Sequence, residues 1–429
     1  LEERKMKTLI LVAPIQAQVL EAKKLGIRTI SFWDRAGASG SYLDISRDVR
    51  ETSDEYYEMD LTNATELVAQ LREHLCTASS ARQKGSKVSA DRAEVLFGGM
   101  DQYYPTYTAA MRELGREKNS AATVQAFQNK SVMRNLLEKD EQLRIGCTKA
   151  DSVHELRAAL EKCRFPVIIK PTVSFGSKNI LLIRNEGEAS RARDFWSAQG
   201  PFSVLIEDFF EGPQFSIEAI SFGGRHEILG ITEKFPVIAP HFVETGGIFP
   251  AQISLEAEKI LMAATLKLLQ LTQMQEGATH TEIILSGKRP IVVESHLRAG
   301  GLIPFLIQGA YQVSFYRMMI LALFDQWEPY DRSRARVSIL SILLFEYNRT
   351  LESIGGRSEL KELDFVHMHN VWVKPGQKLI APQSNLDRHG YIVVSGEDLK
   401  SAYCNLAHAV ALLKPVYQKE VNGHDYATN

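Results

Sequence analysis

Residues 277–301 read Gly277-Ala-Thr-His-Thr-Glu-Ile-Ile-Leu-Ser-Gly-Lys-Arg-Pro-Ile-Val-Val-Glu-Ser-His-Leu-Arg-Ala-Gly-Gly301. Two runs of strand character, Thr281–Leu285 and Ile291–Ser295, flank Ser286–Pro290, whose Ser-Gly opening marks a turn. Centring the hairpin on Lys288 sets Glu282 opposite Glu294, and the period of two sets His280 opposite His296 on the same face. Ile283, Leu285, Ile291 and Val293 then form the other face, packed on a core. Directly opposed positions bring Cβ atoms to about 4.5–5.5 Å, where like charges repel. Two carboxylates placed in this way require something positive between them, and Mg²⁺ takes oxygen ligands of this kind. Alone, the hairpin equally suits an exposed element whose acids face water, because half-buried antiparallel hairpins are common. The continuation favours an anion site. Arg298 adds a fixed cation, and Gly300 and Gly301 let the backbone approach a ligand closely.

Upstream, Phe165-Pro-Val-Ile-Ile-Lys170 is an apolar strand closed by a lysine. A small-residue loop with Ser174, Gly176 and Ser177 leads from it to a strand at Ile180–Ile183. Loop N–H donors beside an ammonium suit phosphate, although a snorkelling lysine next to an ordinary turn explains the same pattern. Lys130, within Asn129-Lys130-Ser131, reads by itself as a solvated lysine on a helix spanning Ala121–Leu137. A third block, Val204 to Glu218, ends one strand at Glu207 and begins another at Phe215. The intervening Phe209 and Phe210 are explained as well by core packing as by ligand contact.

Together these motifs resemble the ATP-grasp superfamily of carboxylate–amine ligases, and within it the L-amino-acid ligases that make dipeptides. The similarity runs from the strand at Thr8 to the last helix near Leu413. It implies an α/β protein with the ATP-grasp fold: an N-terminal α/β domain over residues 1–120 and a central antiparallel-sheet domain over 121–331. The latter carries a lid over 151–207, and a C-terminal α+β portion over 332–429 packs on it. It further implies ATP, with Lys130 and Lys170 on its phosphates and Ser174, Gly176 and Ser177 in the loop that closes over them. By the same resemblance Glu207 and Phe209 offer backbone to the adenine edge. Gln214 stands where the family carries a carboxylate for the ribose, and its amide still donates and accepts hydrogen bonds. Mg²⁺ or Mn²⁺ would sit on Glu282 and Glu294. His296 replaces the family's usual Asn as a metal ligand, and imidazole is softer than that role prefers; orienting substrate and simply capping the face are its other readings. Arg298, Gly301 and Glu244 would face the substrates, with Arg298 and Lys170 as the catalytic groups. Leu302 and Gly247 stand where the nearest ligases tend to carry Asp and His, which implies a different substrate pocket.

The implied reaction is amide formation through an acyl phosphate, converting ATP to ADP and phosphate and joining an amino acid to a second amine. Delivery of an activated amino acid to a carrier protein or a specialised-metabolite amine is the alternative within enzymes. Gln214, His296 and Leu302 prompt a third reading, a nucleotide-binding module without catalysis.

Bulk properties agree with an enzyme acting on small molecules. The 429 residues suggest two or three domains, and 45% hydrophobic content supplies sizeable cores. A formal charge of −2 gives no electrostatic footprint for nucleic acid or an anionic membrane. Cys76, Cys147, Cys163 and Cys404 lie far apart without the spacing of a zinc site or a disulfide framework. The charged N-terminal stretch is followed by no signal-type apolar segment, and no apolar run approaches the ~18 residues that span a bilayer. A cytoplasmic location is expected, and assembly as a homodimer stays open.

Elsewhere, Thr8–Ala13, Gln16–Leu25 and Thr29–Trp33 read as strand, helix and strand, a βαβ-like opening without the GxGxxG of a dinucleotide site. Residues 78–91, rich in Ser and Lys, read as an exposed loop. Val95–Phe97 reads as a strand and Tyr107–Leu114 as helix. Glu256–Gln273 is an amphipathic helix, and strands at Val337–Phe345, Val371–Val373 and Tyr391–Val394 precede a helix over Glu397–Leu413.

Overall fold

The apolar runs near the N-terminus become the centre of a parallel sheet. The computed structural model describes residues 7–35, 41–80, 92–174, 176–238, 241–328, 330–332 and 335–418. Four parallel strands lie in the order Glu55–Met59, Arg28–Asp34, Lys7–Val12, Arg92–Phe97. Leu9, Ile10, Leu11 and Val12 are fully buried, as a strand covered on both faces requires. The helix Gln16–Lys24 connects the first two strands. The loop expected at 78–91 differs in its first part: residues 78–80 continue the helix Ala64–Ser80, and 81–91 lie outside the described residues.

The single helix expected over 121–137 is two helices, Ala121–Gln128 and Lys130–Leu137. Asn129 breaks them with an extended backbone, and its side-chain oxygen accepts the Ser131 N–H at 2.9 Å, capping the second helix. Periodicity cannot register this break, because both halves keep apolar residues on the same side. The break places Lys130 in the first turn, where its N–H donates to the Thr172 carbonyl at 2.8 Å.

A small antiparallel sheet follows, ordered Cys147–Ala150, Val204–Asp208, Val167–Pro171, Leu181–Ile183. The helices Val153–Leu160 and Glu186–Ala198 pack on it through Leu156, Leu160 and Trp196, giving this part a core of its own.

The largest sheet has eight antiparallel strands in the order Arg289–His296, Gly277–Ser286, Gln214–Phe222, Arg225–Lys234, Gly246–Phe249, Val337–Leu343, Gly390–Gly396, Val366–Val371. The last three come from the C-terminal portion. That portion was expected to pack on the central domain, but it extends the central sheet through hydrogen bonding of Gly246–Phe249 to Val337–Leu343. Alternation patterns reveal strands but not their neighbours, so the continuity was hidden. The helix Leu399–Leu412 packs on this end of the sheet. Among the described residues no helix is long and apolar enough to cross a membrane.

Candidate active site

The hairpin at the edge of the large sheet has the expected pairing at its open end. His280 lies opposite His296 and Glu282 opposite Glu294. The turn is Gly287-Lys288, flanked by Ser286 and Arg289, with Gly287 at φ +64°, a conformation that suits a residue without Cβ. Between turn and site the register shifts: Ile283 faces Val292, so Val293 is an inserted bulge residue. The bulge corrects the expected faces. Ile283 and Val292 are fully buried in the core, whereas Ile291 and Val293 line the cavity on the Glu294 side. It also turns the Val293 carbonyl towards two cations, accepting from Lys170 Nζ at 3.0 Å and Arg134 Nη2 at 3.3 Å.

These residues wall a cavity of about 630 Å³ between the small sheet and the large one. Lys130, Lys170, Gly176, Ser177, Glu207, Phe209, Gln214, Glu244, Glu282, Glu294, His296, Arg298 and Gly301 all line it. Ser174 does not line it but accepts from Lys130 Nζ through its carbonyl at 2.9 Å. Residues scattered over 172 positions of sequence (130 to 301) thus converge on one space.

Each opposed carboxylate is engaged by a lysine. Glu294 Oε2 lies 2.9 Å from Lys130 Nζ, and Glu282 Oε1 lies 2.6 Å from Lys234 Nζ. Gln214 donates to Glu282 Oε2 at 2.8 Å. Burial works against the charged forms, yet Lys234 and His280 hold the Glu282 carboxyl down at about 2, and Lys130 and His296 hold that of Glu294 well below the usual carboxylate range. Both are therefore anions, and the repulsion read from sequence is offset by ammonium groups.

His296 lies between two acids. Its Nε2 lies 3.2 Å from Glu294 Oε1 and its Nδ1 3.5 Å from Asp101 Oδ2. Against its burial, these two acids raise its pKa, which favours the imidazolium when no cation is bound beside it. Among the described residues no three His, Cys, Asp or Glu side chains form a metal-holding group. Two hard carboxylates on one wall nevertheless fit Mg²⁺, which uses one or two protein carboxylates and completes its shell with phosphate oxygens and water.

Glu207 also departs from expectation. Its backbone is ladder-paired with Cys147 on one side and Ile168 on the other, so it is not free for an adenine edge. Its buried carboxylate takes Arg134 Nε at 2.6 Å and Lys170 Nζ at 2.8 Å. Burial raises the pKa of that carboxyl, but the two cations outweigh it and hold the value near 2. Lys170 is pushed below the ordinary lysine range by burial, against the pull of Glu207. The N–H of Phe209 donates to the Pro166 carbonyl at 3.3 Å.

The far wall contains Arg298, whose Nε donates to Asp101 Oδ2 at 2.9 Å. Next to it, Glu218 is fully buried, hydrogen-bonds His280 Nδ1, and accepts the Gly300 N–H at 3.1 Å. A Cβ on Gly301 would meet no atom within 4 Å, so its backbone faces open space. Glu244 pairs with Lys234 at 2.5 Å and, through its other oxygen, with Arg388 at 3.7 Å.

Sequence reasoning missed Asp101, Arg134, Glu218, Lys234, Asn385 and Arg388. Two of them left a trace. Glu218 is a carboxylate in the middle of the largely apolar strand Gln214–Phe222, and Lys234 follows the run Ile228–Ile231 at the end of the strand Arg225–Lys234. A charge kept inside a buried strand implies a partner, which neither reading pursued.

Residues 163–304 match the ATP-grasp domain family, and residues 343–418 match the L-amino acid ligase C-terminal domain 2. The match to the ATP-grasp domain covers about a third of the chain. Its fold is similar to that of the L-amino acid ligase from Bacillus licheniformis, with a TM-score of 0.77 at 19% identity over 97% of this chain and 100% of that one. Alanine–anticapsin ligase of Bacillus subtilis is 30% identical over 209 residues, covering 42% of this chain and 43% of that protein. An uncharacterized protein of Sinorhizobium fredii, y4rH, is 24% identical over 318 residues, 72% of this chain and 65% of its own length. The chain thus matches less than two thirds of the length of either curated relative.

Proposed function

We propose that the protein is an ATP-dependent carboxylate–amine ligase that joins an L-amino acid to the amine of a second molecule, releasing ADP and phosphate. The observation that carries this reading is the opposed pair Glu282 and Glu294 on the cavity wall, with Lys130, Lys170 and Arg298 around it. The similarity to an L-amino acid ligase across the fold supports it.

In this reading Lys130 and Lys170 bind phosphate oxygens as point charges, and Gly176 and Ser177 contribute loop N–H donors. Glu207 sets Lys170 and Arg134 in place instead of touching the nucleotide. Phe209 and Phe210, just past the ladder, border the adenine, and Gln214 lies at the ribose and on Glu282. Mg²⁺ or Mn²⁺ held by Glu282 and Glu294 would neutralise charge on the β- and γ-phosphates. A substrate carboxylate attacks the γ-phosphorus and ADP leaves, giving an acyl phosphate. The amine then attacks the acyl carbon, loses a proton, and the tetrahedral intermediate expels phosphate. Arg298, fixed by Asp101, is oriented before reaction to receive the developing oxyanion, and one such preorganised donor is worth roughly 2.7–4 kcal/mol. The small sheet covers the nucleotide and excludes water. A cytoplasmic setting, where ATP is abundant, suits the chemistry.

The test is phosphate release from ATP across pairs of amino acids, with mass detection of the joined product. ADP formation that depends on both substrates is expected. AMP and pyrophosphate as stoichiometric products would refute the mechanism, and nucleotide binding without substrate-dependent turnover would favour a binding module.

A further inference from the structure

Four arginines reach the cavity, and they differ in how their charge is met: Arg116 pairs with Glu94 at 3.4 Å and donates to the Ala93 carbonyl at 3.1 Å. Arg134 makes a two-pronged pair with Glu207, at 2.6 and 3.1 Å. Arg298 is held by Asp101 at 2.9 Å. Arg388, from the C-terminal portion, has only Glu244 at 3.7 Å as a carboxylate neighbour among the described residues, and Glu244 is already engaged by Lys234 at 2.5 Å. The Arg388 side chain is nonetheless largely buried, 17% exposed. Its Nε donates to the Asn385 carbonyl at 2.7 Å, and the guanidinium lies 5.9 Å from the centre of the Trp372 ring. A guanidinium carries five donors, so this one is fixed at its Nε and has a fork left for a planar anion. Consistently, burial pushes the Arg388 pKa down, whereas acid partners raise those of Arg134 and Arg298 despite burial.

The place of Arg388 says which anion. A chain of charges runs Glu282, Lys234, Glu244, Arg388, so Arg388 stands three links away from the opposed carboxylates where phosphate chemistry is expected. A carboxylate on Arg388 would therefore lie beyond Lys234 and Glu244 from the opposed carboxylates, a different position from that of the one that becomes phosphorylated. Asn385 ties the same segment to the rest of the site: its side-chain oxygen accepts the Glu244 N–H at 2.9 Å, and its own N–H donates to the Gly176 carbonyl at 3.2 Å.

We infer that Arg388 binds the free carboxylate of the amine-donating substrate, so that this substrate is an amino acid or another amine bearing a carboxylate. Glu244, beside it, lies where the ammonium of the same zwitterion would be met. The inference rests on the ligase reading, and it adds a specificity-determining residue supplied by the C-terminal portion.

The experiment is direct binding to the full chain in the presence of a non-hydrolysable ATP analogue and Mg²⁺, by calorimetry. The probes are the common amino acids and the matching amino-acid carboxamides, which keep the amine and lose the anion. Wild type is expected to bind at least one amino acid tenfold or more tighter than its carboxamide. Arg388→Met should bring the two to parity, and Arg388→Lys, which keeps the charge without the fork, should retain part of the preference. Affinity for the ATP analogue should be unchanged in both variants, which controls for folding. No carboxylate preference in wild type, or a full preference surviving in Arg388→Met, overturns the inference. Carboxylate-selective binding without ligation would sink the ligase reading and leave the inference standing; ligation without selectivity would do the reverse.

Discussion

Replacing Glu294 by Gln separates two accounts of the hairpin. Opposed carboxylates read from sequence alone repel, so removing one should stabilise the metal-free protein. The structure reverses that sign. Glu294 lies 2.9 Å from Lys130 Nζ and 3.2 Å from His296 Nε2, with a side chain only one-fifth exposed. Hydrogen bonds to charged groups contribute about 1.5–3 kcal/mol each, and the amide leaves Lys130 without its carboxylate and His296 with Asp101 alone. A net loss of about 1.5–3 kcal/mol follows, which in a chain of this length lowers the melting temperature by roughly 2–3 °C. Activity should suffer more. Residues that merely support a metal ligand cost about 10–100-fold when changed, so loss of the ligand itself should cost at least about 100-fold in ligation rate. The assays are calorimetric melting in chelator and coupled detection of ADP. A higher melting temperature would refute the charge-compensation argument. Ligation near the wild-type rate would refute the metal role, and with it most of the functional reading.

Acid stability should report on Glu207. Its folded pKa of about 2 lies below its ordinary 4.5, so its contribution is complete above 4.5 and lost as pH falls towards 2; it amounts to up to about 3 kcal/mol. Glu207→Gln should lower stability at neutral pH and flatten the loss between pH 4.5 and 2, as measured by urea unfolding; an unchanged acid slope would count against the Lys170–Glu207–Arg134 cluster. The adjacent glycines should behave oppositely. A Cβ at Gly300 would come within 2.5 Å of His280 Nδ1, so Gly300→Ala should cost about 1–3 kcal/mol, whereas Gly301→Ala should melt within about 0.5 kcal/mol of wild type and still impair ligation by crowding the substrate. Normal ligation by Gly301→Ala would remove that backbone from the substrate site. Finally, amide exchange at residues 176–178 should slow on adding ATP and Mg²⁺, since loops that cover ligands open cheaply without them; identical exchange in both states would contradict closure over the nucleotide.

The most local part of the site was the most legible. The Glu282–Glu294 and His280–His296 pairs follow from strand period and a turn, both encoded within 25 residues (277 to 301). Even there the agreement had two parts that cancel. The turn is one half-step away from Lys288, and the Val293 bulge restores the register at the carboxylates while reversing the faces nearer the turn. A bulge has no composition of its own, so periodicity could not find it. The lysines were legible as strand and helix termini, but not their acids, because Lys130 meets Glu294 across 164 positions and Lys170 meets Glu207 across the small sheet. Roles carried by charge pairing between distant segments, such as those of Asp101, Glu218 and Arg388, depend on packing that a single sequence does not display. The acid that pairs with His296 was hidden for the same reason: Asp101 lies nearly 200 residues earlier.

The eight-stranded sheet limits how this protein can be cut and recombined. Its order passes from the hairpin at one edge to Val366–Val371 at the other without a seam, and the junction is the four-residue strand Gly246–Phe249. Ending the chain near residue 331 would strip that short strand of one neighbour and leave an open edge where a continuous sheet had been, a template for aggregation. It would also remove Arg388 and Asn385. Chimaeras that aim to exchange substrate preference among proteins of this fold therefore cannot treat residues 332–429 as a detachable module. The unit of inheritance is the sheet, and a successful crossover point must be sought outside it, for instance between the N-terminal parallel sheet and the helix that begins at Ala121.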